Sequence, residues 1–304
     1  MTRFIPVLLA VSLLSACAAK QNSATPIDAK PAAVTSEVAS KYVLYAMLSA
    51  NSYHKRDRIH FPVEMLGWEQ VDDDKELTPT TKPAYSNGFT GLAYDVYRNT
   101  DNRVIVAYRG TDSKWDYAMS NVALGVSIPY KSAKKKLTEL IDLHPDKKVA
   151  VTGHSLGGGL ALSMSTHQGV EAYTFDASPR VFDGLGDHQK PATRVLVFQD
   201  GEILEKFRDK WWKMKEVLKD PDVYAADYEF RCLSFHRGDL LALGLLKQAA
   251  EKDAKFQPVL NAVLQQKPAQ EYEARTQRDG QCPDKKKARK HAADVTATTQ
   301  PSPS

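Results

Sequence analysis

Apolar positions along the chain recur at two different spacings, and the two spacings alternate. Side chains at helical spacing predict a helix over residues 37–53 and further helices near 131–142, 156–168 and 239–251. Short β-branched and aromatic runs predict strands over 91–97, 103–108, 148–152, 172–175 and 194–198. The polar residues Asn99 to Asn102 join the first two strands, which indicates a β-hairpin. Strands that alternate with helices are typical of an α/β fold.

The 304 residues suffice for one globular domain of moderate size with two unstructured ends. Residues 18–36 are rich in Ala, Ser, Thr and Pro and lack an apolar period, which predicts a flexible tether. Residues 283–304 contain a run of lysines followed by Thr, Pro and Ser, which predicts a disordered basic tail. Contact of this run with anionic lipid heads is the less favoured alternative. We therefore expect a single folded domain over 37–282.

Residues 1–17 have the pattern of a bacterial export signal, because Arg3 precedes an apolar run that is too short to span a bilayer. The segment ends in Leu-Ser-Ala-Cys at residues 14–17, which resembles the lipobox of bacterial lipoproteins. Cys17 would then be the lipidated first residue of the mature chain and its anchor in the cell envelope. Ala18 favours the outer membrane over the inner one. An ordinary secretory signal with an incidental cysteine is the alternative.

Charge and cysteine content narrow the classes of partner. The net charge of +4 is modest and no nucleic-acid-binding motif occurs, so we expect no nucleic-acid partner, and nothing in the sequence identifies a protein partner. Cys232 and Cys282 remain once Cys17 is set aside. In an oxidising periplasm these two cysteines can form a disulfide.

Between the strand at 148–152 and the helix at 156–168 lies the sequence Gly153-His154-Ser155-Leu156-Gly157. A strand, a sharp turn through G-x-S-x-G and a helix predict a nucleophile elbow with Ser155 at its apex. Gly153 and Gly157 flank the serine where a strained, crowded turn has no room for side chains. The amide of Leu156, at the helix N-terminus, would point at a developing oxyanion. His154 lies inside the turn, where we expect it to pack rather than act as the base.

A second motif makes a family resemblance specific. Residues 109–121 read R-G-T-x-S-x-x-D-aromatic-x-x-x-N, and G-H-S-L-G-G follows about forty residues later. Together they resemble the class 3 (fungal-type) lipases, a variant of the α/β-hydrolase fold, over roughly residues 40–250. The resemblance implies a mostly parallel sheet flanked by helices in a single domain. It also implies that Thr111 supplies the second half of the oxyanion hole through its backbone N–H and hydroxyl.

The base and the acid must follow Ser155 in the chain if the order of the family holds. His236 is the histidine with a suitable loop before a helix, so we predict it as the base. The segment after the strand at 194–198 offers two carboxylates: the distance from Arg194 favours Asp200, and the family's D-x-V-x-x-L pattern favours Glu202. We prefer Asp200 by a narrow margin. Asp176 lies one strand too early, and we interpret it as structural.

Residues 207–218 are helix-like and unusually aromatic and basic. Phe207, Trp211, Met214 and Leu218 share one helical face, which suits packing on the sheet as well as contact with lipid. Trp212 points off that face beside lysines, as an interfacial residue would. We therefore consider Trp211, Trp212 and Met214 as lipid contacts, with a core helix as the alternative.

The predicted function is a serine ester hydrolase that cleaves acyl esters of lipids, with lipase or phospholipase A1-like activity. The family resemblance and the expected membrane anchor imply the lipid or phospholipid substrate. The mechanism requires no metal ion or cofactor, so we expect neither. A carboxylesterase or thioesterase acting on small soluble esters is one alternative. A surface lipoprotein that keeps the fold without catalysis is the other.

Overall fold

A mixed β-sheet between two layers of helices forms the fold of this protein. The structure is a computed structural model that describes residues 31–110, 128–179, 190–205, 218, 221–228 and 236–279. In these residues the helices are α1 (Ser36–Asn51), α2 (Ile128–Leu143), α3 (Leu156–Gln168), α4 (Gly238–Lys252), α5 (Gln257–Leu264) and α6 (Lys267–Asp279). Short 3₁₀ turns span Val63–Leu66 and Ala254–Phe256.

The strands of the sheet in the described residues are β1 (Ala32–Ala33), β2 (Trp68–Val71), β3 (Tyr85–Asn87), β4 (Leu92–Asn99), β5 (Arg103–Tyr108), β6 (Lys148–His154), β7 (Glu171–Phe175), β8 (Arg194–Gln199) and β9 (Asp222–Ala226). Their order is β1-β9-β8-β7-β6-β5-β4-β2, and β3 also pairs with β4. From β5 to β9 and on to β1 the neighbours are parallel, whereas β2, β3 and β4 form the antiparallel end. A mostly parallel sheet covered by helices on both faces confirms the predicted α/β-hydrolase-like fold class.

Alternating residues of the strands fill two hydrophobic cores, one on each face of the sheet. In β5, Ile105 and Ala107 belong to the core beneath α1, α4 and α5, whereas Val104 and Val106 belong to the core beneath α2 and α3. Because successive side chains of a strand point to opposite faces, a strand with cores on both sides is apolar throughout. This explains the continuous apolar run Val104 to Tyr108 in β5 and the shorter run Val149 to Val151 in β6.

Helix α1 begins at a polar cap and packs mainly against α4. The hydroxyl of Thr35 accepts a hydrogen bond from the backbone N–H of Val38 at 3.3 Å, which satisfies one of the unpaired amides of the first turn. Across the sheet face, α1 and α4 together bury the larger of the two cores. Helices α1 and α4 are therefore packed against each other. Residues next to the end of α1 and next to the start of α4 lie in the candidate site described in the following subsection.

All predicted helices and strands are present, with bounds that differ by one to three residues at most of their ends. The elements β1, β2, β3, β9, α5 and α6 were not predicted. The predicted tether extends to residue 36, but Ala32 and Ala33 already pair with Tyr224 and Ala225 of β9 as a short parallel strand. Ala-Ala carries no period that distinguishes an edge strand from a linker, and its pairing partner lies about 190 residues later in the chain. None of the helices in the described residues has the length and apolarity needed to cross a membrane.

Several predictions concern residues outside the described ranges. These are the signal sequence with Cys17, the oxyanion residue Thr111, the disulfide pair Cys232 and Cys282, the lipid contacts Trp211, Trp212 and Met214, and the basic tail. Of the segment 207–218, Leu218 alone is described, and it is buried in the core beneath α2 and α3.

Candidate active site

The turn between β6 and α3 has the backbone geometry of a nucleophile elbow. Ser155 has φ 60° and ψ −127°, a backbone conformation that residues other than glycine rarely adopt. Its N–H donates to the carbonyl of Phe175 at 3.2 Å, and its own carbonyl accepts from the N–H of Ser178 at 2.9 Å. The end of β7 and the loop that follows it therefore hold the strained serine from both sides.

Glycines on both sides of Ser155 are required by close backbone contacts. A Cβ atom at Gly153 would lie 2.4 Å from the backbone carbonyl carbon and oxygen of Gly157. A Cβ atom at Gly157 would lie 2.1 Å from the carbonyl oxygen of Tyr108 at the end of β5. Helix α3 can thus start directly above β5 and β6 because neither position carries a side chain.

His236 precedes α4, and the start of that helix is tied to the segment after α1. The carboxylate of Asp239 accepts from the backbone N–H of Ile59 at 3.2 Å and from the guanidinium of Arg237. Gly238 lies against the ring of His154, where an added Cβ would approach the ring carbon Cγ to 2.7 Å. These contacts hold His236 next to the elbow.

Glu202 lies in the turn after β8, with its side chain fully buried. One carboxylate oxygen, Oε2, accepts from the backbone N–H of Leu204 at 2.9 Å and contacts Nδ1 of His236 at 2.9 Å. On the other side of the same ring, Nε2 of His236 lies 2.7 Å from Oγ of Ser155. The three side chains form one hydrogen-bonded chain from serine through imidazole to carboxylate.

The acid preferred from the sequence was Asp200, and this preference is reversed. Asp200 is exposed at the first position after β8, and its backbone N–H donates to the carbonyl of Ala226 at 2.7 Å. Glu202, two residues further along the turn, points back beneath His236 instead. The number of residues from Arg194 does not predict the direction of side chains in the turn after β8. The D-x-V-x-x-L pattern of the family favoured Glu202.

A second group of polar residues lies beneath His236. The buried ring of His154 has its centroid 4.7 Å from that of His236, and its Nδ1 lies 2.8 Å from the hydroxyl of Tyr53. Its Nε2 lies 3.9 Å from a carboxylate oxygen of Asp176. Burial lowers the pKa of His154 well below its ordinary value, and positive charge on His236 or Arg58 lowers it further. His154 is therefore a neutral imidazole beside the candidate base.

Asp176 lies at the end of β7 in a left-handed backbone conformation, with φ 44°. Its Oδ1 accepts from the backbone N–H of Gln199 at 2.7 Å, which links the ends of β7 and β8. This contact agrees with the structural role expected for it. Its proximity to His154 was not expected, and Tyr53 was missed altogether, because no local pattern marks a contact between residues 101 positions apart.

A cluster of three side chains has the spacing of a possible metal site. It consists of His154, Asp176 and His236, and one nitrogen or oxygen atom of each lies within 4.8 Å of the other two. A metal ion at this cluster would compete with the contacts that His236 already makes through both ring nitrogens. We therefore treat the cluster as a hydrogen-bonding arrangement and assign no metal ligand among its members.

Of the two expected oxyanion-hole donors, Leu156 lies within the described residues and Thr111 does not. Leu156 is the first residue of α3, and the first helical hydrogen bond is donated later, by Gly159 to the carbonyl of Ser155 at 3.2 Å. The amide of Leu156 thus belongs to the positive end of the helix, next to the serine. Thr111 follows Gly110, which is the last described residue after β5. Gly110 lies near Ser155, since a Cβ built on it would be 3.1 Å from the serine Cβ.

Comparison with known proteins gives one family and several solved structures. The model of the phospholipase-like family, described as a Tle-like phospholipase domain, matches residues 44–202. No curated protein sequence matches the chain. Rhizomucor miehei lipase in its propeptide complex is similar at 19% identity and a TM-score of 0.39, over 57% of this chain and 64% of that one. The match therefore spans less than two thirds of that lipase.

Two further fungal lipases are similar to the same extent. A lipase from Rhizopus microsporus var. chinensis is 18% identical with a TM-score of 0.41, over 60% of this chain and 74% of that one. Lipase II from Rhizopus niveus is 19% identical with a TM-score of 0.39, over 58% of this chain and 76% of that one.

Proposed function

This chain belongs to the family of Tle-like phospholipase domains, and on that premise we propose that it is a serine hydrolase that cleaves an acyl ester bond of a phospholipid. One observation carries the proposal. Ser155 stands at a strained elbow with Nε2 of His236 at 2.7 Å, and Nδ1 of the same ring is 2.9 Å from the buried carboxylate of Glu202. A nucleophile, a base and a group that orients the base are the parts that acyl transfer through a covalent intermediate needs.

In the acylation step, His236 takes the hydroxyl proton of Ser155 as the serine oxygen attacks the ester carbonyl carbon. The carboxylate of Glu202 stabilises the imidazolium that forms and holds the ring with Nε2 toward the serine. The tetrahedral intermediate then breaks its bond to the alcohol oxygen, which takes the proton from His236 and leaves as a lysophospholipid. Water, deprotonated by the same imidazole, cleaves the acyl-serine ester and releases a fatty acid.

The negative charge on the intermediate's oxygen requires donors that are in place beforehand. We assign one to the backbone amide of Leu156 at the N-terminus of α3. The second is Thr111, as the resemblance to class 3 lipases implies. Loss of one such donor typically costs about 10²-fold or more in turnover.

The expected lipidation of Cys17 would place this reaction at a membrane surface, which suits a phospholipid substrate. The location proposed from the lipobox-like segment is the outer membrane, facing the periplasm or the cell surface.

The direct test is release of fatty acid and lysophospholipid from phosphatidylcholine or phosphatidylethanolamine vesicles by the purified chain. Ser155→Ala should abolish release, and Ser86→Ala, which changes an exposed serine on β3, should leave it unchanged. Hydrolysis of a soluble short-chain ester without any release from vesicles would instead indicate a small-ester carboxylesterase. Absence of hydrolysis on both substrates would contradict an enzymatic role.

A further inference from the structure

Within the described residues, the carboxylates of Glu202 and Asp176 both lie near the candidate base His236. Glu202 touches Nδ1 of His236 at 2.9 Å. Asp176 has a carboxylate oxygen within 4.8 Å of a His236 ring nitrogen, close enough for its charge to stabilise an imidazolium. If His236 interacted with Asp176 instead of Glu202, its imidazolium would be stabilised further. Its ring would also lose its alignment with Ser155. Something must therefore favour Glu202 over Asp176.

His154 lies close to both Asp176 and His236. Its ring packs in a tilted arrangement against the ring of His236, with centroids 4.7 Å apart at an interplanar angle of 38°. Its Nε2 is 3.9 Å from Oδ2 of Asp176, longer than a direct hydrogen bond but close for a dipole facing a carboxylate. An N–H at this nitrogen would attract the carboxylate, and a lone pair would repel it.

The hydroxyl of Tyr53 contacts one ring nitrogen of His154, and the direction of this hydrogen bond decides where the neutral ring carries its proton. The tyrosine hydroxyl lies 2.8 Å from Nδ1 and 3.4 Å from the backbone oxygen of His154, so the shorter contact favours donation to Nδ1. Nδ1 then accepts, and the proton of the neutral ring is on Nε2, facing Asp176. The hydroxyl also lies next to Gly110, where an added Cβ would be 2.3 Å from it.

In the part of the chain that the structure describes, two other charged groups near His154 are Arg58 and Asp239, which lie close to each other. Arg58 lies over the ring of Tyr53, with its guanidinium carbon 4.5 Å from the centroid, and 3.8 Å from the carboxylate of Asp239. Asp239 also binds Arg237 at the start of α4. Burial keeps the pKa of His154 low, so its ring adds no positive charge beside the imidazolium of His236.

We propose that Tyr53 and His154 are positioning residues that hold the carboxylate of Asp176 and so leave Glu202 as the acid of His236. The inference rests on the proposed serine-hydrolase function and adds a role for two residues outside the triad. His154 acts through Asp176 and His236, and Tyr53 acts through His154.

The experiment is the rate at which a fluorophosphonate probe labels Ser155 in the full chain, measured against pH. The rate rises with pH because only an unprotonated general base can activate the serine. His154→Phe keeps a ring against His236 but removes the N–H that faces Asp176. We expect the midpoint of the rise to move upward by about 0.5 to 1 pH unit, because a carboxylate within 4–6 Å favours the imidazolium.

Addition of Asp176→Asn to His154→Phe should return the midpoint toward the original value, because the asparagine keeps an oxygen for the Gln199 amide and loses the charge. Tyr53→Phe should shift the midpoint in the same upward direction by a smaller amount, and it provides the test if His154→Phe does not fold. The matched controls are His167→Phe, a buried histidine at the far end of α3, and Tyr97→Phe, a buried tyrosine bonded to Asp95. Both should leave the midpoint unchanged.

Two results would overturn the proposal. Slower labelling of His154→Phe at every pH with an unchanged midpoint would show that His154 only packs, and a shift that persists with Asp176→Asn would exclude Asp176 as its cause. Labelling does not depend on the acyl substrate. A chain that is labelled at Ser155 but does not hydrolyse phospholipid would therefore contradict the proposed substrate alone, whereas a chain that is not labelled would contradict both proposals.

Discussion

Nε2 of His236 lies 2.7 Å from Oγ of Ser155, although the two residues are 81 positions apart in the chain. Ser155 lies in the turn between β6 and α3. His236 lies just before α4, much later in the chain. Packing of α4 on α1 and the anchoring of Asp239 at Ile59 bring the two together. The contact therefore depends on the whole layer of helices on that face of the sheet.

Ser155→Ala and His236→Ala should each lower turnover on a soluble short-chain ester by on the order of 10⁴-fold or more. The double variant should lose little beyond either single variant, because the serine is activated only through the histidine. Steady-state kinetics with circular dichroism as a check on folding measures this. Losses that multiply in the double variant would show that the two residues act independently.

Gly157→Ala should destabilise the fold by about 2 kcal/mol or more, since its Cβ would lie 2.1 Å from the carbonyl oxygen of Tyr108 and the backbone would have to move. Gly88→Ala is the matched control, because a Cβ at Gly88 meets nothing within 4 Å. Thermal unfolding of both variants measures the difference. Equal melting temperatures would contradict the close approach of α3 to β5.

His154 should make the protein less stable in mild acid. Its pKa in the folded chain lies below its ordinary value near 6.5, so the unfolded chain takes up the proton first. Stability is unaffected well above pH 6.5 and falls as the pH decreases below it, by at most about 1.4 kcal/mol per pH unit. Denaturant unfolding of the original chain and of His154→Phe at pH 7.5 and pH 5 tests the sign. The variant should lose less stability between the two pH values, and a larger loss in the variant would contradict a neutral buried His154.

Cys17→Ser should release the protein from the membrane fraction of an expressing bacterium, because the lipobox-like segment predicts acylation at that thiol. Washing the membranes at high salt separates lipid anchoring from charge attraction. Ser15→Thr, a conservative change two residues earlier, keeps the cysteine as a control. A Cys17→Ser protein that stays with salt-washed membranes would refute the anchor.

The sequence predicted the central strands and helices, since β5 and β6 contain apolar β-branched runs and α3 begins within the glycine-rich turn that follows β6. It also proposed Ser155 and His236, whose side chains the structure brings to 2.7 Å, because the elbow is a local pattern and the chain order limited the candidates for the base. Ala32 and Ala33 were assigned to the tether, because a two-residue edge strand depends on a partner from the far end of the chain.

The identity of the acid and the contact between Tyr53 and His154 depend on the directions of side chains. The spacing of residues along the sequence does not predict these directions. Asp200 and Glu202 are two residues apart in one turn, and only the fold determines that Glu202 turns inward to His236. The hydroxyl of Tyr53 reaches His154 from the end of α1, a contact between elements that are distant in sequence.

The most direct test of the triad compares Glu202→Gln with Asp200→Asn by turnover on a soluble short-chain ester, with circular dichroism to verify folding. Glu202→Gln should lower turnover by about 10²- to 10⁴-fold, because the amide cannot stabilise the imidazolium or fix its tautomer. Asp200→Asn should stay within about twofold, as expected of an exposed residue. A larger fall for Asp200→Asn, or small and equal effects of both changes, would contradict the assignment of Glu202 as the acid of the Ser155 and His236 pair.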